Sequence, residues 1–309
     1  MTIDVVTPED LLRSLPMEAA IDALQDAFGG SLPEAPPRTH LDVGSGDLLL
    51  MPSWSGDAVG VKLVTVNQTN PAAGRRLING VYVLFSQQTL EPLAIFDAAT
   101  LTGLRTAAVS GVATRFLARA DAKTLMIFGA GAQARHHLSA MLAVRPFEQV
   151  VCVTRTRDRG EVLLALVKSR GIHTSIGTPD DVTEADVVCT CTTSSTPVLD
   201  GRKLSNGAHV NAVGAYKPTT RELDDGAIAR GAIVVETREA ALAEAGDLRI
   251  PIERGVITPD AIVADLSEVV GGKPVRRHED DVTIFKSVGV AFEDLMIASA
   301  AYPRLSTHA

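Results

Sequence analysis

The sequence is short of cysteine, with only Cys152, Cys189 and Cys191 among 309 residues. An odd number of thiols argues against a disulfide framework, and Cys189 and Cys191 alternate within an apolar run that is typical of a buried strand. We therefore expect reduced thiols in the core of a cytoplasmic protein. No metal site is expected, because the cysteines lack a second group of Cys or His at ligand spacing.

Long apolar runs and an excess of basic residues are also lacking. No apolar run approaches the ~18 residues that a helix needs to cross a bilayer, and Asp4 and Glu9 stand where a signal peptide would be basic and then apolar. The net charge of −8 gives no sign of a nucleic-acid or anionic-membrane partner, which favours a small-molecule partner. The 309 residues, 46% of them apolar, suit about two globular domains.

The first third of the chain predicts a helical start followed by a β-rich segment. Residues 7–28 repeat apolar side chains at helical spacing, and Pro16 divides them into two helices. From 38 to 97 the sequence changes to β-branched runs broken by Gly, Asn and Pro, which indicates strands of an antiparallel sheet. Residues 98–118 return to an alanine-rich helical pattern.

The rest of the chain alternates short buried strands with helices. A strand over 125–128 is followed by a helix over 132–144, and further strands are predicted at "QVVCVTR", "ADVVCTCTT", "HVNAVGA" and "AIVVET". Apolar runs of this kind, separated by helices, are the signature of a parallel sheet covered on both faces. The tail from Thr283 begins as a strand and ends as a helix, which we expect to pack on the first domain.

A glycine-rich turn joins the first of these strands to its helix. Gly129 allows a tight turn, Gly131 has no Cβ to block a pyrophosphate, and Ala134 lets the helix approach the strand. The first N–H groups of the helix, around Ala132 and Gln133, would then bind the phosphates. The pattern predicts a dinucleotide site, and the alternative is a plain turn in a flavodoxin-like domain.

The end of the next strand indicates which dinucleotide is preferred. NAD binding favours an acidic residue there, to accept hydrogen bonds from the ribose diol. This chain has Arg155, Thr156 and Arg157 instead, and guanidinium groups suit the 2′-phosphate of NADP(H). The alternative is that the arginines only solvate a loop, with Asp158 neutralising one of them.

Seven sequence blocks, in order over nearly the whole chain, resemble the ornithine cyclodeaminase/μ-crystallin family. They are "PR" (Pro37-Arg38), "GVKLV" around Lys62, "LRTAAVSG" (104–111), "FGAGAQA" (128–134), "NAVGAYKPTTRELD" (211–224), "EAALAEAGDL" (239–248) and "FKSVGVAFED" (285–294). Their number and order argue against chance similarity.

The resemblance implies an α/β fold in which an NAD(P)-binding Rossmann domain is inserted into a β-rich α+β domain. Residues 1–117 and 287–309 would form the substrate-binding and dimerisation domain, and residues 118–286 the Rossmann domain. The family likeness also implies a homodimer formed through the β-rich domain, whose edge strands would otherwise invite uncontrolled pairing.

The resemblance further implies a cationic site for the carboxylate of an imino or amino acid. Arg38, Lys62 and Arg105 match the family's positions for substrate binding and catalysis. A guanidinium can bind a carboxylate through two hydrogen bonds, and a lysine close to two arginines would have a lowered pKa and serve in proton transfer. Lys62 also lies inside the apolar run "VGVKLVTV", where a lysine needs a reason.

Two substrate-site positions depart from the pattern of true ornithine cyclodeaminases. Where those enzymes resemble one another in two acidic residues, this chain has Leu49, in "LLLMP", and Tyr216, in "AVGAYKP". An apolar and a phenolic group suit a substrate without a charged δ-amine, such as a cyclic imine that carries a carboxylate. The form "PTTRELD" is also more similar to the reductase and μ-crystallin branch.

The family likeness assigns the remaining cofactor contacts. Thr106, Thr192, Val213, Gly214 and Ser287 match positions that contact the ribose and nicotinamide in the family. Thr192 lies at the carboxyl end of a predicted strand, where cofactor sites gather in parallel sheets.

We therefore expect an NAD(P)H-dependent reductase of a cyclic ketimine or 2-imino acid that produces an α-amino acid, with NADP(H) preferred over NAD(H). One alternative is an NAD-dependent ornithine cyclodeaminase, which forms proline and ammonia. The other is a non-catalytic protein of μ-crystallin type that uses NADPH to complete a ligand pocket. The presence together of Arg38, Lys62 and Arg105 speaks against this last alternative.

Overall fold

A computed structural model of the protein describes residues 3–305. Its α-helices are α1 (Pro8–Ser14), α2 (Met17–Gly29), α3 (Ala98–Leu117), α4 (Ala132–Val144), α5 (Arg157–Ala165), α6 (Asp225–Arg230), α7 (Arg238–Glu244), α8 (Gly246–Glu253), α9 (Leu266–Val270) and α10 (Ala291–Leu305). Its strands are β1 (Asp4–Val6), β2 (Thr39–Asp42), β3 (Asp47–Trp54), β4 (Ala58–Val66), β5 (Ile78–Ser86), β6 (Pro92–Asp97), β7 (Thr124–Phe128), β8 (Gln149–Val153), β9 (His173–Ile176), β10 (Val187–Thr190), β11 (His209–Ala212), β12 (Ala232–Val235), β13 (Ile262–Asp265) and β14 (Thr283–Lys286). None of these helices is long and apolar enough to cross a membrane.

Contacts divide the chain into two compact units. Unit 1 contains the described residues up to Arg105 and from Val290 onward, and unit 2 is Thr106–Gly289. The sequence-based boundaries differ in detail, because they assign all of α3 to the first domain and Ser287 to the part that follows the insertion. In both divisions an inserted unit interrupts the chain of the β-rich domain.

The opening helices of unit 1 follow from local sequence signals. Thr7 caps α1, with its hydroxyl oxygen accepting a hydrogen bond from the Asp10 N–H at 3.2 Å. Pro16 is the residue before α2, where its fixed φ suits a helix start and its missing N–H costs nothing. The predicted division of residues 7–28 into two helices at Pro16 is confirmed.

Unit 1 is built on a six-stranded sheet with the order β1-β6-β5-β4-β3-β2. The strands pair antiparallel except for β1, which pairs parallel with β6, so the prediction of an antiparallel β-rich domain holds for five of the six strands. Burial alternates along β4 and β5, which gives the sheet one buried and one more exposed face. Helix α10 packs on β3 and β4 and on α1 and α2, as expected for the final helix.

Unit 2 contains an eight-stranded parallel sheet with the order β13-β12-β14-β11-β10-β7-β8-β9. Strands β10, β11 and β14 are buried along their whole length, as expected for a sheet covered on both faces. The chain runs outward from β7 through β8 to β9 and then returns to β10 on the other side of β7. This reversal places the carboxyl ends of β7 and β10 side by side, which is where ligands bind in open α/β sheets. The predicted Rossmann fold is confirmed.

Candidate active site

Lys62 is the central residue of a buried charge cluster in unit 1. It lies on β4 with 2% of its surface exposed, and its Nζ donates to Asp294 Oδ2 at 2.7 Å and to Thr102 Oγ1 at 3.3 Å. The pKa of Lys62 is lowered to about 8, mainly by burial and in addition by the positive charges of Arg105 and Arg38, while the Asp294 carboxylate opposes the lowering. The lowered pKa predicted from two neighbouring arginines therefore has burial as its main cause.

Arg105 is held by the same helix that neutralises Lys62. Its Nη1 donates to Glu293 Oε2 at 2.8 Å, and its Nε lies 3.5 Å from Asp294 Oδ1. Glu293 and Asp294 are consecutive residues in the first turn of α10, and both are fully buried. Buried charges need a paired charge or hydrogen bonds, and α10 supplies Asp294 to Lys62 and both acids to Arg105.

Glu293 and Asp294 lie within the family-like block "FKSVGVAFED", but the sequence predicted no role for them. A signal was present, since two adjacent acids stand in the otherwise apolar helix "AFEDLMIASAAY". Adjacent helical residues point about 100° apart, so two adjacent acids in a helix that is otherwise apolar indicate that at least one of them is buried and paired. Their partners could not be identified, because they are distant in sequence.

The strands around β4 place further side chains beside Lys62. Leu49 is buried on β3, opposite Val64, and therefore lies on the same face of the sheet as Lys62. Tyr82 is directly opposite Lys62 on β5 and fully buried. Arg38 is half-buried just before β2 and contributes to the lowered pKa of Lys62.

The Tyr82 hydroxyl is a polar group that sequence reasoning missed. Within residues 3–305 it has no hydrogen-bond partner, and a Cβ added to Gly60 would lie only 1.9 Å from it. Glycine at position 60 therefore makes room for this hydroxyl. Burial and the nearby negative charge of Asp294 raise the pKa of Tyr82 well above its ordinary value, so the hydroxyl keeps its proton at neutral pH.

The glycine-rich turn of unit 2 has the geometry of a phosphate cradle. Gly129 has φ +105°, and a Cβ there would lie 2.6 Å from the Cys191 carbonyl oxygen, so only glycine fits. A Cβ on Gly131 would meet no atom within 4 Å, which leaves open space directly before α4. No side chain within residues 3–305 caps α4, so the N–H groups around Ala132 and Gln133 are available to an anion.

Ala134 and the arginines after β8 differ in their exposure to solvent. Ala134 is fully buried in α4. Arg155 is exposed, and Thr156 is the residue before α5. Arg157 is also exposed and pairs with Glu161 through a 2.8 Å contact, an i,i+4 surface pair of the kind that contributes little. The basic side chains therefore remain accessible at the strand end.

A buried carboxylate, Glu222, ties together two segments at the carboxyl ends of β10 and β11. It accepts hydrogen bonds from Thr192 N at 2.7 Å, from Thr192 Oγ1 at 2.6 Å, from Gly214 N at 2.7 Å and from Thr190 Oγ1 at 2.8 Å. Burial raises its pKa, and the bonds from Thr192 oppose that rise. Glu222 therefore fixes two predicted cofactor residues, Thr192 and Gly214, relative to each other. Sequence reasoning gave Glu222 no role.

A buried ion pair binds the backbone of Glu222 and of its neighbour Leu223. Lys286 and Asp247 are both fully buried, with Nζ and Oδ2 2.9 Å apart. Asp247 also accepts from the N–H groups of Glu222 and Leu223, each at 2.8 Å. Lys286 donates to the Ala212 and Ala215 carbonyl oxygens, so the pair holds both ends of the loop that carries Tyr216.

The other predicted cofactor residues lie in well-fixed backbone. The Ser287 hydroxyl donates to Glu236 Oε1 at 2.6 Å, and the next two N–H groups bind the same carboxylate. Val213 is buried next to Gly214, and Thr106 is buried in α3. Tyr216 lies in unit 2 and Leu49 in unit 1, so the two proposed specificity positions belong to different units.

The sequence matches the ornithine cyclodeaminase/mu-crystallin family over residues 3–308. The chain belongs to this family, which confirms the resemblance seen in its sequence blocks.

Relatives and solved structures of the family are similar to nearly the whole chain. A Delta(1)-pyrroline-2-carboxylate reductase of Bacillus thuringiensis subsp. konkukian is 41% identical over 265 residues, which cover 83% of this chain and 81% of that protein. The structure of the Thermococcus litoralis Delta(1)-pyrroline-2-carboxylate reductase in complex with NADH and L-proline has a TM-score of 0.94 at 33% identity, covering 99% of this chain and 98% of that one. An archaeal alanine dehydrogenase dimer with bound NAD also has a TM-score of 0.94, at 30% identity, covering 100% and 98% of the two chains.

Proposed function

We propose that the protein is an NAD(P)H-dependent reductase of a cyclic ketimine or 2-imino acid, of the pyrroline- or piperideine-2-carboxylate type, producing an α-amino acid. The observation that carries the proposal is the buried ammonium of Lys62, placed among Arg38 and Arg105 on a sheet face that also presents the apolar Leu49. The two Delta(1)-pyrroline-2-carboxylate reductases among the relatives named above support it.

The residues of unit 1 serve the imino acid. Arg38 and Arg105 bind its carboxylate, because a guanidinium offers paired donors to a planar anion. Lys62, with a pKa of about 8, is close to the ideal for a proton donor at neutral pH and supplies the proton that the imine nitrogen gains. Leu49 packs against the apolar part of the ring.

The residues of unit 2 fit a dinucleotide. Gly129, Gly131 and the first N–H groups of α4 would hold its pyrophosphate. Thr106, Thr192, Val213, Gly214 and Ser287 would contact the ribose and nicotinamide. When bound in its reduced form, the nicotinamide supplies a hydride to carbon.

The preferred cofactor is NADP(H). Arg155 is exposed at the end of β8 with no acidic residue among its immediate neighbours, Thr154 and Thr156, and it would bind the 2′-phosphate. The solved relatives hold NADH and NAD, so both cofactors belong in the test. Isothermal titration of the purified protein with NADPH and NADH should show tighter binding of NADPH, and tighter binding of NADH would contradict the preference.

Two assays test the function. The first follows NADPH absorbance in the presence of pyrroline-2-carboxylate or piperideine-2-carboxylate. The second follows the reduction state of NAD and the release of ammonia in the presence of ornithine. Cyclic imines should be reduced and ornithine rejected. Ornithine carries a second ammonium, and desolvating it costs several kcal/mol where Leu49 and Tyr216 replace the two acidic residues of true ornithine cyclodeaminases. Proline and ammonia formed from ornithine at rates matching imine reduction would favour the cyclodeaminase instead.

A pair of variants separates catalysis from mere binding. Lys62→Ala should reduce turnover by orders of magnitude while leaving NADPH affinity nearly unchanged, because Lys62 lies outside the nucleotide-binding unit. Lys123→Ala is the matched control, since that lysine is about half exposed and pairs with Glu148 on the surface. Saturable ligand binding with no turnover by the wild-type protein would favour a non-catalytic role of μ-crystallin type.

The assembly that we propose is a homodimer formed through the exposed face of the unit 1 sheet. Most of that face from β2 to β6 is apolar, with Thr39, Thr65, Asn79 and Asp97 as polar residues on it, and its half-buried or exposed apolar residues include Leu41, Leu48, Leu50, Pro52, Val59, Val61, Leu63, Val81, Val83, Phe85 and Ile95. A continuous apolar surface of this extent is rare on a monomer. This contact differs from the pairing of edge strands expected from the sequence, because it uses the face of the sheet.

Light scattering tests this assembly at micromolar concentration. The wild-type protein should have the mass of a dimer, as in the archaeal relative. Val83→Lys should shift it towards monomer, because Val83 lies in the middle of the apolar face and pairs with Val61. Leu166→Lys, an exposed leucine of unit 2, should leave the mass unchanged. A monomeric wild-type protein would refute the assembly.

A further inference from the structure

The Lys62 ammonium is held by two of its three protons. One proton is donated to Asp294 Oδ2 at 2.7 Å and a second to Thr102 Oγ1 at 3.3 Å. The third proton has no hydrogen-bond acceptor among residues 3–305. Two anchors fix the rotation of a tetrahedral ammonium about its Cε–Nζ bond, so the direction of the third N–H is set by the protein.

Asp294 is more than a counter-ion for one lysine. Its second oxygen, Oδ1, lies 3.5 Å from Arg105 Nε, so the carboxylate bridges Lys62 and Arg105. Its neighbour Glu293 binds Arg105 but not Lys62. The two acids of α10 therefore have separable tasks, with Asp294 alone in contact with the ammonium.

Stability does not account for this arrangement. All the charges are at least nine-tenths buried, and a buried ion pair is often no more stabilising than well-packed apolar residues of similar volume. The remaining side chains of the α10 contact face are mostly apolar, including Phe292, Leu295 and Ala298, so apolar packing is available there. The buried charges of this cluster therefore indicate a functional role and not a stabilising one.

We propose that Asp294 is a positioning residue, which keeps the Lys62 side chain charged and aims its third proton at the imine nitrogen. The proposal rests on the proposed function, in which Lys62 is the proton donor. In this step the Lys62 N–H bond breaks as the N–H bond of the product amine forms, Lys62 becomes a neutral amine still bonded to Asp294, and solvent returns the proton afterwards. Hydride and proton together account for the two hydrogens that the C=N bond gains.

The charged and titratable groups that face Lys62 define the expected pH behaviour. They are Asp294 on α10, Arg105 on α3, Arg38 before β2 and Tyr82 on β5. Of these, only Asp294 favours the charged form of Lys62. Asp294→Asn should therefore lower the pH at which activity is lost on the alkaline side by one pH unit or more, and reduce kcat at least tenfold. KM for the imine and Kd for NADPH should change less than threefold.

Two companion variants keep the test decisive. Glu293→Gln should raise KM through Arg105 while leaving the alkaline limb in place. Asp294→Glu keeps the negative charge but displaces the ammonium, so it should reduce kcat and leave the alkaline limb of the pH profile unchanged. This variant replaces Asp294→Asn in the test if Asp294→Asn does not fold. A uniform loss of kcat in Asp294→Asn with an unchanged pH profile, or wild-type kcat in Asp294→Glu, would overturn the proposal.

A measurement that needs no turnover separates this proposal from the proposed function. Lysine side-chain NMR, with Lys62→Met to assign the signal, would follow the titration of Lys62 directly. Its pKa should be lower in Asp294→Asn than in the wild-type protein, even if the wild-type protein reduces no cyclic imine. An unchanged titration would show that Asp294 does not control Lys62.

Discussion

Replacing Lys62 by methionine should make the stability of the protein less dependent on alkaline pH. The pKa of Lys62 is about 8 in the folded protein and close to 10.5 in an unfolded chain. Below pH 8 the lysine is charged in both states, so folding carries the cost of burying an ammonium. Between pH 8 and 10.5 the unfolded chain holds one more proton, so the wild-type protein gains stability as pH rises.

The size of this effect follows from the interval between the two pKa values. Each pH unit corresponds to 1.36 kcal/mol, so the full interval amounts to about 3 kcal/mol, of which about 2 kcal/mol develops between pH 8 and pH 10. Lys62→Met lacks the titration. The free energy of unfolding of the wild-type protein should therefore rise by about 2 kcal/mol relative to that of the variant over this range.

Urea unfolding followed by circular dichroism, at matched protein concentration and at half-unit steps of pH, measures this difference. Other titrating groups contribute equally to both proteins and cancel in the comparison. Lys123→Met is the control, because Lys123 is about half exposed and should show no relative change. Parallel stability curves for Lys62→Met and the wild-type protein, within about 0.5 kcal/mol from pH 8 to pH 10, would refute the reasoning that burial dominates at Lys62.

Three further predictions concern unit 2. Arg155→Ala should weaken NADPH binding by about 1–3 kcal/mol in isothermal titration and hardly affect NADH, because it removes a charge-assisted hydrogen bond to the 2′-phosphate; equal losses for both cofactors would contradict this. Gly214→Ala should weaken cofactor binding at least tenfold by fluorescence titration, since its Cβ would lie 2.2 Å from the Thr192 carbonyl oxygen, and unchanged affinity would mean that this segment adjusts freely. Lys286→Met should lower the free energy of unfolding by about 3–5 kcal/mol and Tm by about 10 °C in calorimetry, because Asp247 loses its buried cation. The double variant Lys286→Met with Asp247→Asn should recover part of this loss of stability.

The parallel sheet of unit 2 was predictable because its signals are local. Fully buried strands such as β10 and β11 appear as apolar runs, and the glycine-rich turn after β7 follows one of them directly. Strands β9 and β13 were not predicted. Each has four residues, and only alternate residues or fewer are buried, which is too short for a periodic pattern to emerge from the surrounding loops.

The site was only half predictable for a different reason. Lys62 stood out because a charged residue interrupts an apolar strand, and the family blocks indicated Arg38 and Arg105. The acids that complete the cluster lie 232 positions from Lys62 and 188 from Arg105, and pairing across such distances is set by the tertiary fold. Glu222 escaped notice for a similar reason, since the segments that it joins meet only at the end of the sheet.

The return of α10 to the first sheet has a consequence for how the protein matures on the ribosome. The sheet of unit 1 is synthesised first, yet the helix that covers its buried face is made after all of unit 2. Unit 2 is one continuous stretch and can fold while synthesis proceeds, whereas the sheet must wait with an apolar surface and an unneutralised Lys62 exposed to solvent. Helix α10, whose first turn carries Glu293 and Asp294, therefore covers the waiting sheet and neutralises Lys62 only after unit 2 has been synthesised.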